Sequence, residues 1–497
     1  MKQATKPAVV LTGLLLAAAW VIIVAITVPQ AQSIGPQPNG DYGFFTAVAE
    51  RLWAGDRLYV DIWDNKDPFV FYSISLARTA GIWGAWTLEI LWMGTAALAV
   101  YSIGRWSGAS RHLSLLVGGA FTPLLMVGLP YFMGSTHIPG IALTLVAVAV
   151  TLRERPVVTG LVLSALVFFK LIMFPLGLVL VTVAVLTRSG RPSRIGTGPV
   201  AARIAIGFSV GLAATSLLLG VRGELVPYVQ AQVANVLYSQ TPIVPETDPS
   251  PIRWIARHVV TLVNPHVFLV IVTTLILVGW TVVRLRKQRT PQVVSLAWMT
   301  GAAFLMEGLI VAAVSKWLHH ALIFAVSSAL VLVILAALFS KSRFYGSALG
   351  VIVLALLVYP LMGAPSPLVY LDAISSLDRN IEGAQRTDRL TSALAEYQPS
   401  SVAIIGQGNL VPRSFELTNW SLACRHIAQR HFDPPRNFEQ TLACLPDADV
   451  IIIAPDAEAR DGFADYNAFL EEARQVAESE RRCSIVETFM ICVRPEG

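Results

Sequence analysis

Between residues 39 and 73 the chain reads NGDYGFFTAVAERLWAGDRLYVDIWDNKDPFVFYS, which gathers Asp41, Asp61, Asp64 and Asp67 around one lysine, Lys66. These residue types can move a proton and hold an anion. A positioned carboxylate serves as a general base, and an ammonium stabilises charge developing on a phosphate. Asp61 and Asp64 are also hard oxygen donors suited to a divalent cation, although two carboxylates make an incomplete site. Tyr42, Tyr59 and Trp63 alternate with the acids and offer rings to a substrate. The same residues equally describe a solvated exterior loop in which Asp41 caps a helix.

The elements that must position these groups are legible around them. Phe44, Phe45, Val48 and Leu52 recur at helical spacing, so residues 41–54 are expected to form an amphipathic helix lying in a membrane interface. That would hold Asp41 at the lipid surface. The turn-rich segment 59–68 then presents Asp61, Asp64, Lys66 and Asp67 together.

The membrane itself follows from composition. The 497 residues are 55% hydrophobic and 14% charged, with a mean hydropathy of +0.61; soluble domains carry about 25% charged residues. An ordinary soluble enzyme is excluded. The net charge of +5 resides in short basic clusters between apolar runs, which marks topology rather than a nucleic-acid face. Apolar runs occur at 8–28, 85–104, 112–129, 138–152, 157–170, 171–186, 200–220, 259–283, 293–314, 321–339 and 345–362. If each crosses once there are about eleven transmembrane helices, counting the first run as an uncleaved span rather than a signal peptide. With the N-terminus in the cytoplasm, the clusters at Arg105 and Arg111, Arg153 and Arg155, Arg188 to Arg194, Arg284 to Arg289, and Lys341 and Arg343 all fall inside. The chain from about residue 363 then lies outside.

The cysteines point the same way. Cys424, Cys444, Cys483 and Cys492 are all in the last quarter of the chain, and an even set in one polar segment suggests disulfides formed in an oxidising compartment. Cys424 with Cys444 and Cys483 with Cys492 are the preferred pairings, out of three connectivities. Residues 378–397, 418–429 and 466–479 read as helices, and 402–406, 449–455 and 483–494 as strands. The expected architecture is therefore a polytopic α-helical membrane protein, residues 1–363 with an outer loop at 29–84, followed by a small extracytoplasmic α/β domain at 364–497. The GQG at 406–408 lacks the third glycine and acidic partner of a dinucleotide fingerprint and reads as a structural turn.

An N-terminal helix, an Asp followed by an aromatic, an amphipathic helix ending in AGDRLY and a DIWDNKDP segment together resemble the GT-C superfamily of polyprenyl-phosphate-sugar-dependent glycosyltransferases, in its protein-mannosyltransferase-like and aminoarabinose-transferase-like branch. STHIP (135–139), RERP (153–156), FFKLIMFP (168–175) and SKWLHHALIF (315–324) follow in the order that branch uses. The branch commonly carries an acidic residue near the position of His137 and a double proline after the lysine; this chain has Lys66, Asp67, Pro68. The resemblance implies a GT-C-like catalytic membrane domain in the plasma membrane. It implies an inverting transfer in which an acceptor hydroxyl attacks the anomeric carbon of a polyprenyl-phosphate sugar at the outer face. Asp41 matches the family's catalytic base. Lys66, Arg253, Arg257, Lys316, His319 and His320 are the outward cations available to the donor phosphate. The implied partners are the lipid-linked donor, a glycan, lipid or protein acceptor, and membrane lipid, but no nucleic acid; no cofactor is implied with certainty, and a divalent metal ion stays open.

Other residues carry competing readings. Arg253 and Arg257 also suit snorkelling at a helix end. Lys170 and Glu307 are costly within an apolar span and should face protein or water. Trp53, Trp63, Trp83 and Trp86 suit an aromatic belt. A transporter or flippase of lipid-linked sugars, or an envelope-assembly scaffold, is the alternative class; neither needs the Asp41 carboxylate.

Overall fold

The computed structural model describes residues 6–32, 40–77, 79, 84–128, 135–187, 197–240, 290–314, 318–340, 377–406, 411, 415, 417–430, 433 and 435–495. The expected spans at 259–283 and 345–362 lie outside these residues. By contact the chain divides into two compact units. One comprises Met1–Pro29, Trp86–Thr215 and Ser250–Asp372; the other comprises Gln30–Ala85, Ser216–Pro249 and Ala373–Gly497.

The first unit is a bundle of apolar helices. Trp86–Trp106, Thr197–Val221, Pro291–Val311 and Leu322–Phe339 are each long and apolar enough to cross a membrane, and so by length is the stretch Pro156–Thr187. That last stretch is folded in two. Lys170 leaves helical geometry (φ −162°, ψ 81°), a 3-10 turn spans Leu171–Met173, and Leu163 and Leu166 pack around Gly177. A straight helix would hold residues 166 and 177 about 16 Å apart, so Pro156–Lys170 and Phe174–Thr187 form a hairpin, as the two separate apolar runs lead one to expect.

Burial separates two kinds of apolar helix. Leu322–Phe339 is almost wholly enclosed by its neighbours, whereas Thr197–Val221 leaves Ile206, Val210, Leu217 and Leu218 uncovered. Contiguous bare aliphatic surface is costly in water and neutral in hydrocarbon; the chain is a membrane protein. Small residues bring helices close. A Cβ on Gly160 would lie 2.1 Å from the Ile204 carbonyl oxygen, and one on Gly207 would lie 2.1 Å from that of Val157, the close approach that glycine permits between membrane helices.

The second unit is built on a five-stranded sheet. Its strands are β1 (Ser401–Ile405), β2 (Ser421–Leu422), β3 (Val450–Ile453), β4 (Arg482–Val486) and β5 (Phe489–Val493), in the order β2-β1-β3-β5-β4. β1 runs parallel to β2 and β3, while β5 pairs antiparallel with β3 and β4. The continuous apolar runs VAII and VIII become the central strands because both faces are covered. Phe438, Phe469 and Leu470, from the helices Pro435–Cys444 and Ala464–Ser479, close over Ala403, Ile405, Ile451 and Ile453. Gly406 follows β1 where a Cβ would lie 2.9 Å from both Ala454 Cβ and Asp456 Oδ1. Gln407 and Gly408 of the same segment lie outside the described residues.

Residues 418–429, expected as a helix, are not one. Leu417–Asn419 is a 3-10 turn, Ser421–Leu422 is the edge strand β2, and the rest is irregular. Local propensity loses to sheet pairing: Ser421 N–H donates to Ser400 O at 3.1 Å and Ala423 N–H to Val402 O at 2.9 Å. The structure joins Cys424 to Cys444 and Cys483 to Cys492.

Candidate functional site

The helix Gly40–Trp53 opens the first loop and has Asp41 and Tyr42 in its first turn; their side chains lie outside the described atoms. Its apolar stripe does not lie against lipid. Phe44, Phe45, Val48 and Leu52 are buried in protein, and Phe45 meets Phe71 of the following helix, Pro68–Ala77, edge to face at 5.6 Å. The stripe that amphipathicity assigns to lipid is therefore packed on protein. Trp53 remains uncovered at 61% exposure.

Beyond this helix the loop is held from three directions. Glu224, fully buried, accepts from Leu58 N–H at 3.0 Å and from Arg222 Nε at 2.9 Å, and also binds the Tyr72 hydroxyl. Arg51 Nη1 donates to the carbonyls of Leu417 (3.0 Å) and Trp420 (2.5 Å), while its Nε pairs with Asp56 at 2.6 Å. Trp63 N–H donates to Arg425 O at 2.9 Å, Arg425 Nη1 reaches Tyr59 O at 3.4 Å, and the Trp63 ring lies 5.0 Å from that of His426. The first loop and the C-terminal sheet segment thus share one set of contacts.

Tyr59 sits at the turn with φ +64°, a left-handed conformation that costs a bulky side chain about 1–2 kcal/mol. Its surroundings enforce it. Tyr59 N–H donates to Ile62 O at 2.7 Å, its hydroxyl donates to Lys66 O at 2.6 Å, and its ring lies 5.5 Å from Tyr228. Burial, with Asp67 adding to it, pushes the Tyr59 phenol well above its usual range, so it stays a donor. Tyr228 donates to Asp67 Oδ1 at 3.1 Å and is shifted upward by burial and that carboxylate.

The acids of the loop have separate duties. Asp61 is gripped by Arg57, whose Nε and Nη2 each donate at 2.9 Å and hold the carboxyl below its usual range. Asp64 accepts from Lys66 N–H at 2.7 Å and lies within electrostatic reach of Asp433, whose carboxyl burial pushes up to about 6, Arg430 opposing and Asp64 adding. Asp61 is thus engaged by Arg57, and Asp64 by the backbone of Lys66. Among the described residues no three His, Cys, Asp or Glu side chains gather to hold a metal ion. The Lys66 ammonium donates to Asn65 Oδ1 at 3.2 Å and makes no ion pair with a described carboxylate.

The first unit collects a second group. Lys170 Nζ lies 2.5 Å from Thr136 Oγ1, His137 Nδ1 is 3.4 Å from Ser135 Oγ, and the His137 and His320 rings stand 5.2 Å apart. Glu307, fully buried, accepts from Ser327 N–H at 2.8 Å. The expectation that Lys170 and Glu307 face protein is met. Arg253, Arg257 and Lys316, and the side chain of His319, lie outside the described atoms.

Glu224, Tyr228 and Arg425 are among the residues not singled out from the sequence. Glu224 had a usable signal, an acid just after Gly223 and before an apolar helix, where it caps Leu225–Gln240 through Tyr228 N–H to Glu224 O at 2.8 Å. Arg425 had none. It lines a cavity of about 520 Å³ together with Arg51, Asp56, Asp61 and Gln440. Burial lowers its guanidinium pKa, and the nearby Arg436 adds to that. Burial also lowers His426, to about 4, which keeps the imidazole neutral at physiological pH.

No protein-family model matches the chain, and no curated protein sequence matches it. Solved structures do. The oligosaccharyltransferase of Archaeoglobus fulgidus in its apo form aligns with a TM-score of 0.52 at 12% identity, covering 95% of this chain and 73% of that one. The same enzyme tethered with an acceptor peptide containing the NVT sequon aligns at 0.47 and 11% identity, over 92% and 72% of the two chains. The archaeal oligosaccharyltransferase AglB from that organism, in complex with an inhibitory peptide and a dolichol-phosphate, aligns at 0.45 and 12%, over 94% and 73%. What the likeness to the apo form shows is the fold alone: a polytopic helical membrane architecture with a C-terminal sheet-containing segment.

Proposed function

We propose, with that fold as premise, that this chain is an inverting glycosyltransferase moving a sugar from a polyprenyl-phosphate donor to a glycan, lipid or protein acceptor of the cell envelope. Fold alone hosts many activities; the observation that carries the reading is the first loop. Held by Glu224, Arg51 and Arg425, it sets Asp41 in the first turn of a helix and leaves the Lys66 ammonium without a described carboxylate partner.

The chemistry needs few parts. The acceptor oxygen attacks the anomeric carbon from the face opposite the leaving group, Asp41 takes the hydroxyl proton, and the bond from carbon to phosphate oxygen breaks with its electron pair on the phosphate. Lys66 stabilises that anion; Arg253, Arg257, Lys316, His319 and His320 are the other cations any of which could grip the donor phosphate. Tyr42, Tyr59, Asp61, Trp63, Asp64 and Asp67 belong to the substrate loop, Tyr59 and Asp67 by holding its shape. No step is routed through a metal ion. The basic clusters and the disulfides support a plasma-membrane protein with a cytoplasmic N-terminus and the C-terminal segment outside.

The test is sugar transfer by the purified protein in lipid, offered a panel of polyprenyl-phosphate sugars, with Asp41→Asn beside the wild type. Loss of a general base costs about 10²–10⁴-fold in turnover, with donor binding retained. Equal turnover in both proteins would remove Asp41 as base. Absence of turnover in a folded wild type across the panel would favour a transporter or scaffold.

A further inference from the structure

We infer that the cavity between residues 51–61 and 421–444 is a binding site for a saccharide bearing one anionic group, a carboxylate or a phosphate. Calling that saccharide an acceptor rests on the transferase reading above; the binding site does not. The cavity, about 520 Å³, is of the size that encloses a small ligand, about 300–1,000 Å³.

Its charges are unevenly spent. Asp56 is paired with Arg51 and Asp61 with Arg57, so both acids are neutralised yet keep lone pairs for hydroxyl donors. Arg425 differs. Its guanidinium contacts only neutral acceptors: Tyr59 O at 3.4 Å, Gln440 Oε1 at 2.5 Å and His426 Nε2 at 3.3 Å. A guanidinium has five N–H donors; two of those on Arg425 have no acceptor among the described residues, and no described carboxylate balances its charge. A half-buried cation held by neutral dipoles and facing a cavity is suited to an incoming anion, which a guanidinium engages in bidentate fashion. Gln440, Asp56 and Asp61 supply side-chain oxygens for hydroxyl donors, while Val60 and Leu422 offer apolar surface to the ring face. Together these describe a hydroxyl-rich ligand with a single charge better than an aliphatic or a neutral one.

The experiment measures equilibrium binding to the full-length protein in lipid nanodiscs. The probes are cellobiose, cellobiouronic acid and cellobiose 6′-phosphate, with acetate and inorganic phosphate as controls. The anionic disaccharides are expected to bind at least about tenfold tighter than cellobiose, the advantage a charge-assisted contact confers, and to weaken with salt. Whichever of the two binds more tightly identifies the anion. Arg425→Gln should reduce both to the level of cellobiose. Val60→Trp, which fills the cavity without removing a charge, should weaken all three disaccharides. Equal binding of neutral and anionic probes, binding unchanged in both variants, or binding matched by acetate or phosphate alone would each overturn the inference. Donor turnover is measured in parallel on the wild type. Binding without turnover keeps the site and removes the transferase; turnover without disaccharide binding removes the site alone.

Discussion

Glu224 holds three pieces of its unit at once: the Leu58 amide, the Tyr72 hydroxyl and the Arg222 guanidinium. The carboxylate is fully buried, whereas Arg222 is about one-third exposed, so solvent screens that pair and the two uncharged donors matter most. Leaving buried donors unpaired costs about 1–3 kcal/mol each. Glu224→Ala is therefore expected to destabilise the unit by about 2–4 kcal/mol, and Glu224→Gln, which keeps one acceptor oxygen, by about half as much. Thermal unfolding in lipid, with protease sensitivity of residues 56–67 as the local readout, checks this. A Gln variant as damaged as Ala would show that the negative charge, and not the geometry, is what matters. Little of this was legible beforehand. The acids at 61, 64 and 67 drew attention because they cluster in sequence, yet Asp61 is occupied by Arg57 four residues away, and the anchoring acid comes from more than 150 residues downstream.

Helices of the first unit approach at glycines, and the consequence is measurable element by element. Gly160 and Gly207 each set backbone against backbone between Pro156–Lys170 and Thr197–Val221, while Gly94 has nothing within 4 Å of an added Cβ. Gly160→Ala must push the two helices apart and is expected to cost about 1–3 kcal/mol; Gly94→Ala should be neutral or slightly stabilising. Comparing the melting temperatures of the two variants in one detergent decides it, and equal values would mean that the close crossing contributes nothing. Element identity itself was well marked in the chain. Apolar run length announced the helices, and two buried apolar runs announced β1 and β3. The miss at residues 418–429 has a plain cause. Two residues of edge strand carry almost no periodic signal, and their conformation is set by hydrogen bonds to Ser400 and Val402.

At the scale of the molecule, the first loop depends on the far end of the chain. Arg51 takes its acceptors from Leu417 and Trp420, and Trp63 takes its partner from Arg425. A chain ending at residue 363 is expected to insert in membranes but to lose protease protection over residues 56–67, with donor turnover falling along with it. Proteolysis followed by peptide mapping distinguishes the two chains, and an equally protected loop in the shortened one would show that the loop folds by itself. The sequence alone determined that the protein lives in a membrane, because a helix that spans lipid must be long and apolar and composition records that demand residue by residue. It also determined that the cysteines belong to the polar C-terminal segment, and it exposed the central strands, since burial on both faces writes a continuous apolar run. Only the tertiary structure decided which acid anchors the loop, that the stripe of Gly40–Trp53 packs on protein, and that Arg425 lines a cavity with no described carboxylate paired to it. Those outcomes depend on contacts across hundreds of residues, and a local pattern of types and spacings holds no record of which distant partner arrives.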